Sequence, residues 1–214
     1  MAQQNQISKA VISRLPRYYR YLRTLIEQGV ERVSSEELSR LMKATASQIR
    51  QDLNNFGGFG QQGYGYNVKS LYAEIGKILG VKEAHALIVI GAGNLGRALV
   101  RYKGFSSHGF QFRAMFDIDD SLCGKSINGV KIHRLNELVN FVMKNKVDIA
   151  ALTIPSEDAI EVSKQLYSLG IRNFWNFAHT DLELPPDAVI KNVHLLDSLL
   201  ELSFEASHSN GGKA

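Results

Sequence analysis

Apolar residues recur every three or four positions near the start of the chain, a spacing that is typical of amphipathic helices. The first such pattern predicts a helix over residues 9–28 that ends before a glycine. Pro16 lies inside this pattern and predicts a restart or a kink, because proline has no backbone N–H to donate. Ser34 and Glu37 have the spacing of a capping box, so a second, short helix is expected to begin there.

A third helix and a glycine-rich segment come next. Thr45 and Gln48 repeat the capping-box spacing and predict a helix over residues 46–55. Residues 56–66 mix five glycines with aromatic and polar residues, which predicts a β-hairpin, and a fourth helix is predicted over residues 69–79. This order is typical of a winged helix-turn-helix domain, in which the second helix of the tight pair enters the DNA major groove.

The third helix carries side chains expected of a DNA-recognition helix. Its polar positions are Ser47, Gln48, Arg50, Gln51 and Asn54. Arginine suits guanine, and side-chain amides suit adenine or the phosphates. Residues 1–84 carry 12 Lys and Arg against 7 Asp and Glu, whereas residues 85–214 carry 13 against 14, so the positive charge lies in the predicted DNA-binding part. The alternative interpretation is a solvated helix face.

From residue 84 onward, apolar strands alternate with helices, as in parallel βαβ units. The predicted strands and helices alternate over residues 86–90, 94–103, 112–116, 136–144, 148–154, 157–169 and 173–177. The first strand runs directly into the sequence Gly91-x-Gly93-x-x-Gly96 and then into a helix, which is the dinucleotide-binding fingerprint in its required context. The glycines allow a tight turn, the approach of a pyrophosphate to the helix N-terminus and close packing of helix on strand.

The ends of the predicted strands supply further nucleotide-binding candidates. Asp117 ends the second strand 21 residues after Gly96, where a carboxylate binds the adenosine ribose and repels a 2′-phosphate, so NAD is favoured over NADP. The ends of the later strands face the same crevice and contain Thr153, Ile154, Pro155, Asn176, Phe177 and Ala178. The alternatives are a simple turn residue at Asp117 and strand packing at residues 176–178.

The last predicted helix, within residues 191–206, is apolar around too much of its circumference for one contact face. Such a helix requires burial on several sides, which favours a position between the subunits of a symmetric dimer. The alternative is a helix that covers its own domain. The polar tail over residues 207–214 is predicted to be disordered.

Composition limits the classes of protein to consider. No segment approaches the roughly 20 apolar residues that span a bilayer, and the N-terminus lacks the apolar stretch of a signal peptide. Cys123 is the single cysteine, which excludes an internal disulfide and fits a cytoplasmic protein. Cys123 is interpreted as a loop residue, with a redox-reactive thiol as the alternative.

Signatures of catalysis and metal binding are missing from the sequence. The six histidines show no metal-ligand spacing, no Gly-Lys-Ser/Thr follows the glycine motif, and no Tyr-x-x-x-Lys pair offers a proton donor for hydride chemistry. No substrate domain follows the predicted nucleotide domain. We therefore expect the nucleotide to be sensed, and the protein not to be an enzyme. The alternative is an NAD-dependent oxidoreductase with an accessory N-terminal domain.

Several stretches together resemble one family along nearly the whole chain. They are Ile12-Ser13-Arg14-Leu15 with Tyr19, Ser34-Ser35, Ala46-Ser47-Gln48-Ile49-Arg50, Asp52-Leu53, Gly63-Tyr64-Gly65-Tyr66, Gly91-Ala92-Gly93-Asn94-Leu95-Gly96, Phe116-Asp117-Ile118-Asp119, Thr153-Ile154-Pro155 and Asn176-Phe177-Ala178. In these stretches the chain resembles the Rex family of redox-sensing transcriptional repressors.

The resemblance implies an α/β protein with an N-terminal winged helix-turn-helix, a Rossmann dinucleotide-binding domain and a C-terminal domain-swapped helix, over residues 1–83, 84–190 and 191–206. It also implies a homodimer that binds a palindromic operator in double-stranded DNA and represses fermentation and respiration genes when NADH is low. NADH would release the protein from DNA, and NAD+ would compete weakly without releasing it.

The resemblance further implies residues for each site. The DNA-binding residues would be Arg14, Thr45, Ser47, Gln48, Arg50, Gln51, Gln62 and Tyr64. The residues around NADH or NAD+ would be Gly91, Ala92, Gly93, Asn94, Leu95, Gly96 and Asp117, together with the six strand-end residues above.

In the family, an Arg, a Tyr and an Asp exchange partners between the DNA-bound state and the state released by NADH. They match Arg20, Tyr102 and His194 here, so a histidine replaces the family carboxylate, although Asp197 lies one turn further on.

Two predicted DNA contacts also depart from the family pattern. Gln51 and Gln62 stand where the family often has a cation. Each lost cation is expected to flatten the salt dependence of DNA binding by up to about one unit of slope. A paralogue that binds NAD but has lost or altered DNA binding is therefore a further alternative.

Overall fold

The computed structural model of the chain describes residues 7–54, 60–61 and 64–209. The chain divides into two compact units, one within residues 1–83 and the other within residues 84–214. Each unit has its own hydrophobic core, as expected for domains of this size.

The first unit is helical with a small antiparallel sheet. Its elements are α1 (Lys9–Glu27), β1 (Arg32–Val33), α2 (Ser35–Met42), α3 (Ala46–Asn54), β2 (Gly60–Gln61), β3 (Gly65–Asn67) and α4 (Val68–Ile78). The sheet order is β1-β3-β2, with Gly60 opposite Tyr66 and Gln61 opposite Gly65. This arrangement is the predicted winged helix-turn-helix, and β2 and β3 are the strands of the wing. The remainder of the predicted hairpin lies at residues 56–59 and 62–63, outside the described residues.

The core of the first unit gathers the apolar faces of its four helices. Leu15, Tyr18 and Leu22 of α1 are fully buried, and they pack with apolar residues of α2, α3 and α4. The capping box that was predicted for α2 is confirmed: Glu37 N donates to Ser34 Oγ at 3.1 Å, and Ser34 N donates to the Glu37 carboxylate at 2.7 Å.

Helix α1 continues through Pro16, so the predicted restart does not occur. The proline removes one backbone donor from the helix, at a cost of about 3 kcal/mol in an exposed helix interior. Residues on both sides of Pro16 belong to the same buried face, including Leu15 and Tyr18. Burial of this face therefore keeps the two halves in one helix.

The second unit is an α/β sheet domain. Its elements are β4 (His85–Ile90), α5 (Asn94–Arg101), a 3₁₀ turn (Ser106–His108), β5 (Phe110–Asp117), β6 (Ser126–Ile127), β7 (Val130–Arg134), a second 3₁₀ turn (Leu135–Glu137), α6 (Leu138–Lys144), β8 (Ile149–Leu152), α7 (Ser156–Ser168), β9 (Asn173–Asn176), β10 (Val189–Asn192) and α8 (Leu195–Ser209).

The seven strands form one sheet in the order β10-β9-β8-β4-β5-β7-β6, and every pairing is parallel except that of β6 with β7. Without β6, this is the order of the doubly wound Rossmann fold, numbered 3-2-1-4-5-6 from β7 to β10. The predicted fold is therefore confirmed. The sequence pattern missed β7 and β10, because these strands lie towards the edges of the sheet and have no continuous run of buried apolar residues.

The C-terminal helix begins later than its sequence predicts. The prediction placed a helix within residues 191–206, but residues 189–192 form β10 and α8 spans residues 195–209. Residues 207–209, which were assigned to a disordered tail, are therefore helical. Residues 210–214 lie outside the described residues.

Candidate nucleotide pocket and DNA-recognition surface

A cavity of about 460 Å³ opens at the carboxyl ends of β4, β5 and β8. This is the topological switch point of the sheet, since the chain moves outward from β4 through β5 and β7 on one side and through β8 and β9 on the other. The cavity is lined by Ile90, Gly91, Gly93, Phe116, Asp117, Ile118, Leu135, Thr153, Ile154, Pro155, Asp158, Glu161, Val162 and Gln165.

The glycine turn has the geometry that the fingerprint requires. Gly91 has a φ of +96°, and a Cβ on this residue would lie 2.5 Å from the Thr153 carbonyl oxygen. A Cβ on Gly96 would overlap the Gly91 carbonyl oxygen. Gly91 and Gly96 are therefore needed for the backbone packing of the turn itself, whether or not a nucleotide binds. Gly93 differs, because a Cβ there would meet no described atom within 4 Å. The open space at Gly93 faces the cavity and fits the approach of a pyrophosphate at the N-terminus of α5.

Asp117 connects the end of β5 to this glycine turn. Its carboxylate accepts hydrogen bonds from Ala92 N at 2.5 Å and from Asp119 N at 2.9 Å. Thr153 braces the turn from the other side, as its hydroxyl lies 3.0 Å from Ile90 O and 2.9 Å from Gly91 O. These side chains hold the glycine turn and the Asp117 carboxylate at one edge of the cavity, and this arrangement fits a dinucleotide.

Some of the predicted nucleotide-binding residues lie elsewhere. Asn176 is fully buried, and its amide donates to Thr180 O at 2.8 Å and to Asn192 Oδ1 at 3.0 Å. Asn176 also accepts a hydrogen bond from Ala178 N, and the ring of Phe177 contacts Trp175. Residues 176–178 do not line this cavity, and the Asn176 side chain connects β9 to β10 through Asn192.

Three polar residues of the cavity wall were not predicted from the sequence. Asp158, Glu161 and Gln165 of α7 line the cavity beside Val162. Their spacing of three, four and seven residues places them on one helix face, and this spacing is visible in the sequence. No strand-end argument points to them, because they lie within the first three turns of the helix and not at the end of a strand.

Cys123 lies in the loop after Asp117 and does not have the properties of a redox-reactive thiol. Its Sγ lies 3.8 Å from the Asp117 carbonyl oxygen. Burial raises the pKa of the Cys123 thiol, and the nearby Asp120 carboxylate raises it further. A raised pKa keeps the sulfur protonated and weakly nucleophilic.

On the first unit, a buried carboxylate organises the candidate recognition helix α3. Asp52 is 1% exposed and accepts from Arg14 Nε and Nη2, each at 2.7 Å, and from Tyr18 Oη at 3.0 Å. Gln48 Nε2 donates to the same carboxylate at 3.1 Å. Two predicted DNA-binding residues, Arg14 and Gln48, are thus partners of Asp52. Burial opposes ionisation, yet the hydrogen bonds from Arg14, Gln48 and Tyr18 hold the pKa of Asp52 below its usual value.

The exposed side of α3 carries Ser47, Arg50 and Gln51. Arg50 is about half exposed, and its guanidinium contacts Ser35 Oγ at 3.2 Å and the Glu36 carboxylate at 3.1 Å.

Two more of the predicted DNA-binding residues are described in the first unit. Thr45 caps α3 by accepting from Gln48 N at 3.1 Å. Tyr64 at the wing is 69% exposed, and its carbonyl accepts from Arg32. Gln62 lies outside the described residues.

The predicted switch residues occupy defined positions in the two units. Arg20 is exposed on α1, where its guanidinium lies 5.4 Å from the ring centre of Tyr21. Tyr102 follows α5 and is 64% exposed. His194 precedes α8, and its ring stacks on that of His179 with 5.8 Å between the ring centres.

No cluster of three potential metal ligands occurs among the described residues. No helix in the described part of the chain is long and apolar enough to cross a membrane.

Two family models match the chain. Residues 6–54 match a model described as a putative DNA-binding protein N-terminus, and residues 82–180 match one described as a CoA binding domain. The first match covers α1 to α3, and the second covers β4 to β9 and the cavity. The two matches therefore fall on the two units separately.

Similar proteins match along almost their whole length. The redox-sensing transcriptional repressor Rex of Thermoanaerobacter pseudethanolicus is 48% identical over 95% of this chain and 91% of its own, and that of Clostridioides difficile is 49% identical over 92% and 94%. A crystal structure of RSP in complex with β-NAD+ and operator DNA has a TM-score of 0.89 and 48% identity over 95% of this chain and 94% of its own. RSP in complex with β-NADH also has a TM-score of 0.89, with 45% identity over 96% and 97%. The chain therefore belongs to the Rex family of redox-sensing transcriptional repressors.

Proposed function

We propose that this chain is a transcriptional repressor that binds a palindromic operator when NADH is low and leaves it when NADH binds. One observation carries the proposal: a protein that shares this fold along its whole length is known in complexes with β-NADH and with β-NAD+ and operator DNA. The relatives are named as repressors, which supports a sensing role for the nucleotide cavity.

In this proposal the cavity at the switch point binds the dinucleotide. The backbone N–H groups at the start of α5 receive the pyrophosphate next to Gly93, and Asp117 accepts from the adenosine ribose hydroxyls. Ile118, Ile154 and Pro155 form apolar walls for the adenine, since they follow the two strands on either side of β4.

The cavity is expected to prefer NADH to NADPH. A 2′-phosphate would meet the Asp117 carboxylate, and Arg134, which lies opposite Asp117 in the pairing of β5 with β7, is paired with Asp120 at 3.2 Å. Replacing Asp117→Ser removes the repulsion and the ribose hydrogen bonds together. We expect NADH to bind about tenfold more weakly, a change of about 1.4 kcal/mol, and the preference over NADPH to shrink. Calorimetric titration of both nucleotides measures this, and an unchanged preference would place the ribose elsewhere.

For DNA, we propose direct contacts from Ser47, Arg50 and Gln51 on the exposed side of α3 and from the wing at Tyr64. Arg14 and Gln48 bind the buried Asp52 carboxylate, and Thr45 caps α3, so we propose that these three residues affect DNA binding indirectly.

A homodimer is proposed from two apolar surfaces of the second unit. Helix α8 exposes apolar side chains around its circumference: Leu195, Leu196, Leu199, Leu200, Leu202 and Phe204 are each at least 50% exposed. A second cavity, of about 440 Å³, opens at the amino edge of the sheet, among aromatic residues that include Phe105, Phe110 and Trp175. An exchange of α8 between two copies buries apolar area that one chain leaves in water.

A double substitution on α8 tests the dimer. Leu199→Glu with Leu200→Glu places charges on two apolar positions, so a dimer loses four buried leucines, worth about 6–12 kcal/mol in total. We expect monomers in sedimentation velocity. The control is Glu201→Gln on the same helix, which should remain dimeric. A dimer that persists in the double variant would contradict the proposed exchange.

The proposed switch changes the spacing of the two recognition helices. Both helices engage a palindrome only when they lie about one DNA turn, roughly 34 Å, apart. NADH shifts the dimer away from this state by binding the other state more tightly, and a hundredfold preference corresponds to about 2.7 kcal/mol. We propose that Arg20, Tyr102 and His194 change partners in this step, as their family counterparts do.

The function is tested by fluorescence anisotropy of a palindromic operator duplex bound by the protein, titrated separately with NADH and NAD+. The expected result is release by NADH at much lower concentration than by NAD+. An operator affinity that is the same at saturating NADH would overturn the proposed sensing.

A further inference from the structure

We propose that Asp52 is a positioning residue for DNA recognition: it sets the orientation of α3 on α1 without contacting DNA. The inference rests on the proposed function. Asp52 is a charged side chain that is only 1% exposed in the last turn of α3, and Ile49 and Leu53 on either side of it are apolar core residues.

Among the described residues, four donor atoms from two helices bond to the Asp52 carboxylate. On α1, Arg14 and Tyr18 are one turn apart, and on α3, Gln48 is one turn before Asp52. Both carboxylate oxygens are occupied, because Arg14 Nη2 and Gln48 donate to Oδ1 while Arg14 Nε and Tyr18 donate to Oδ2. A planar guanidinium that binds a planar carboxylate through two parallel hydrogen bonds restricts both the rotation and the axial position of the helix that carries the carboxylate.

Few other contacts restrain α3 relative to α1. Helix α1 packs mainly against α4, and α3 packs mainly against α2. The apolar contacts of Ile49 and Leu53 hold α3 in the core, but apolar packing is non-directional and tolerates small rotations. The Asp52 cluster therefore supplies the directional restraint on this pair of helices.

Stability alone does not account for this cluster. Removing two charges from water is costly, and well-packed apolar residues of similar volume often replace a buried ion pair without loss of stability. Apolar residues do not fix the rotation of α3 about its own axis. Arg50 needs a fixed rotation of this helix to reach a base edge. Arg50 lies two residues before Asp52 and points to the exposed side, so a rotation of α3 moves its guanidinium away from the base edge.

The Asp52→Asn variant separates two effects. The loss of a negative charge and the loss of helix orientation predict opposite changes in operator affinity. The variant loses a negative charge and leaves Arg14 without an ionic partner, so electrostatics alone predicts tighter binding to every DNA and a steeper salt dependence. Loss of orientation instead predicts weaker binding to the operator while binding to unrelated DNA is kept or increased. The quantity to measure is the ratio of the two affinities, because partial unfolding lowers both alike.

The experiment uses the full chain and two fluorescent duplexes: a palindrome selected by the wild-type protein from a random pool, and a scrambled duplex of equal length. We expect Asp52→Asn to lower the ratio of operator to scrambled affinity about tenfold or more, since Arg50 loses a base contact in both half-sites. The control, Glu31→Gln, removes an equal charge from an exposed position and should leave the ratio unchanged.

A second variant keeps the test valid if Asp52→Asn folds poorly. Arg14→Met and Asp52→Leu combined with Tyr18→Phe leave the net charge unchanged, replace the ion pair by apolar volume and remove the buried Tyr18 hydroxyl that would lose its acceptor, so the triple variant should fold while losing the directional restraint. It is also expected to lower the ratio, with NADH affinity as in the wild type. A wild-type ratio in this triple variant would overturn the positioning role. A wild-type protein that selects no palindrome would instead overturn the proposed function, and the inference with it.

Discussion

Gly93→Ala is expected to abolish the response to NADH while the protein remains folded. Gly93 has a φ of −66°, which any residue adopts, and a Cβ there would meet no described atom within 4 Å. The unfolding free energy should therefore change by less than about 1 kcal/mol. The same Cβ would occupy the space that a pyrophosphate needs at the start of α5. We expect NADH affinity to fall about 100-fold, or about 2.7 kcal/mol.

Gly96→Ala is the matched control, because it is predicted to fail for the opposite reason. Its Cβ would overlap the Gly91 carbonyl oxygen, so the helix must move away from the strand. Overpacking of this kind costs about 1–3 kcal/mol, and we expect a lower melting temperature whether or not NADH is present. Calorimetric unfolding and NADH titration separate the two variants. If Gly93→Ala binds NADH normally, the pyrophosphate does not lie against Gly93.

Arg50→Ala is expected to abolish operator binding and to leave NADH binding intact. Arginine paired with a guanine edge contributes about 1–3 kcal/mol of discrimination, and a dimer on a palindrome uses two such pairs. The expected loss is therefore about 2–6 kcal/mol, or roughly 30-fold to 25,000-fold in affinity. In the free protein Arg50 pairs with Glu36, but both side chains are more than half exposed and the pair contributes little to stability. DNA should therefore displace Glu36.

The control for this prediction is Glu36→Gln, which releases Arg50 and keeps its cation. Its operator affinity should equal or exceed that of the wild type, and anisotropy titrations at two salt concentrations measure both variants. Operator affinity that survives Arg50→Ala would show that α3 is not the recognition helix. Because Arg50 belongs to the first unit and the nucleotide cavity to the second, unchanged NADH binding shows that the second unit is intact and that the defect is confined to the first.

Local patterns determined most of the fold. The capping box at Ser34, the glycine fingerprint and the apolar periodicities depend on neighbours within a few residues, so the sequence alone predicted the helices and the central strands. Strands β7 and β10 escaped prediction because neither has an apolar run of its own, and each is held in the sheet by pairing with its neighbouring strand.

The residues of the candidate sites also divide into those that local motifs predict and those whose contacts depend on tertiary packing. The sequence by itself determined the glycine turn, Asp117 and the exposed Arg50, because each follows from a position within a local motif. Only the tertiary structure decided that Asn176 points inward and that Arg14, 38 residues away, pairs with Asp52. The physical reason is that a polar side chain takes whichever partners the packed helices and strands bring within hydrogen-bond distance, and periodicity along the chain does not encode that proximity.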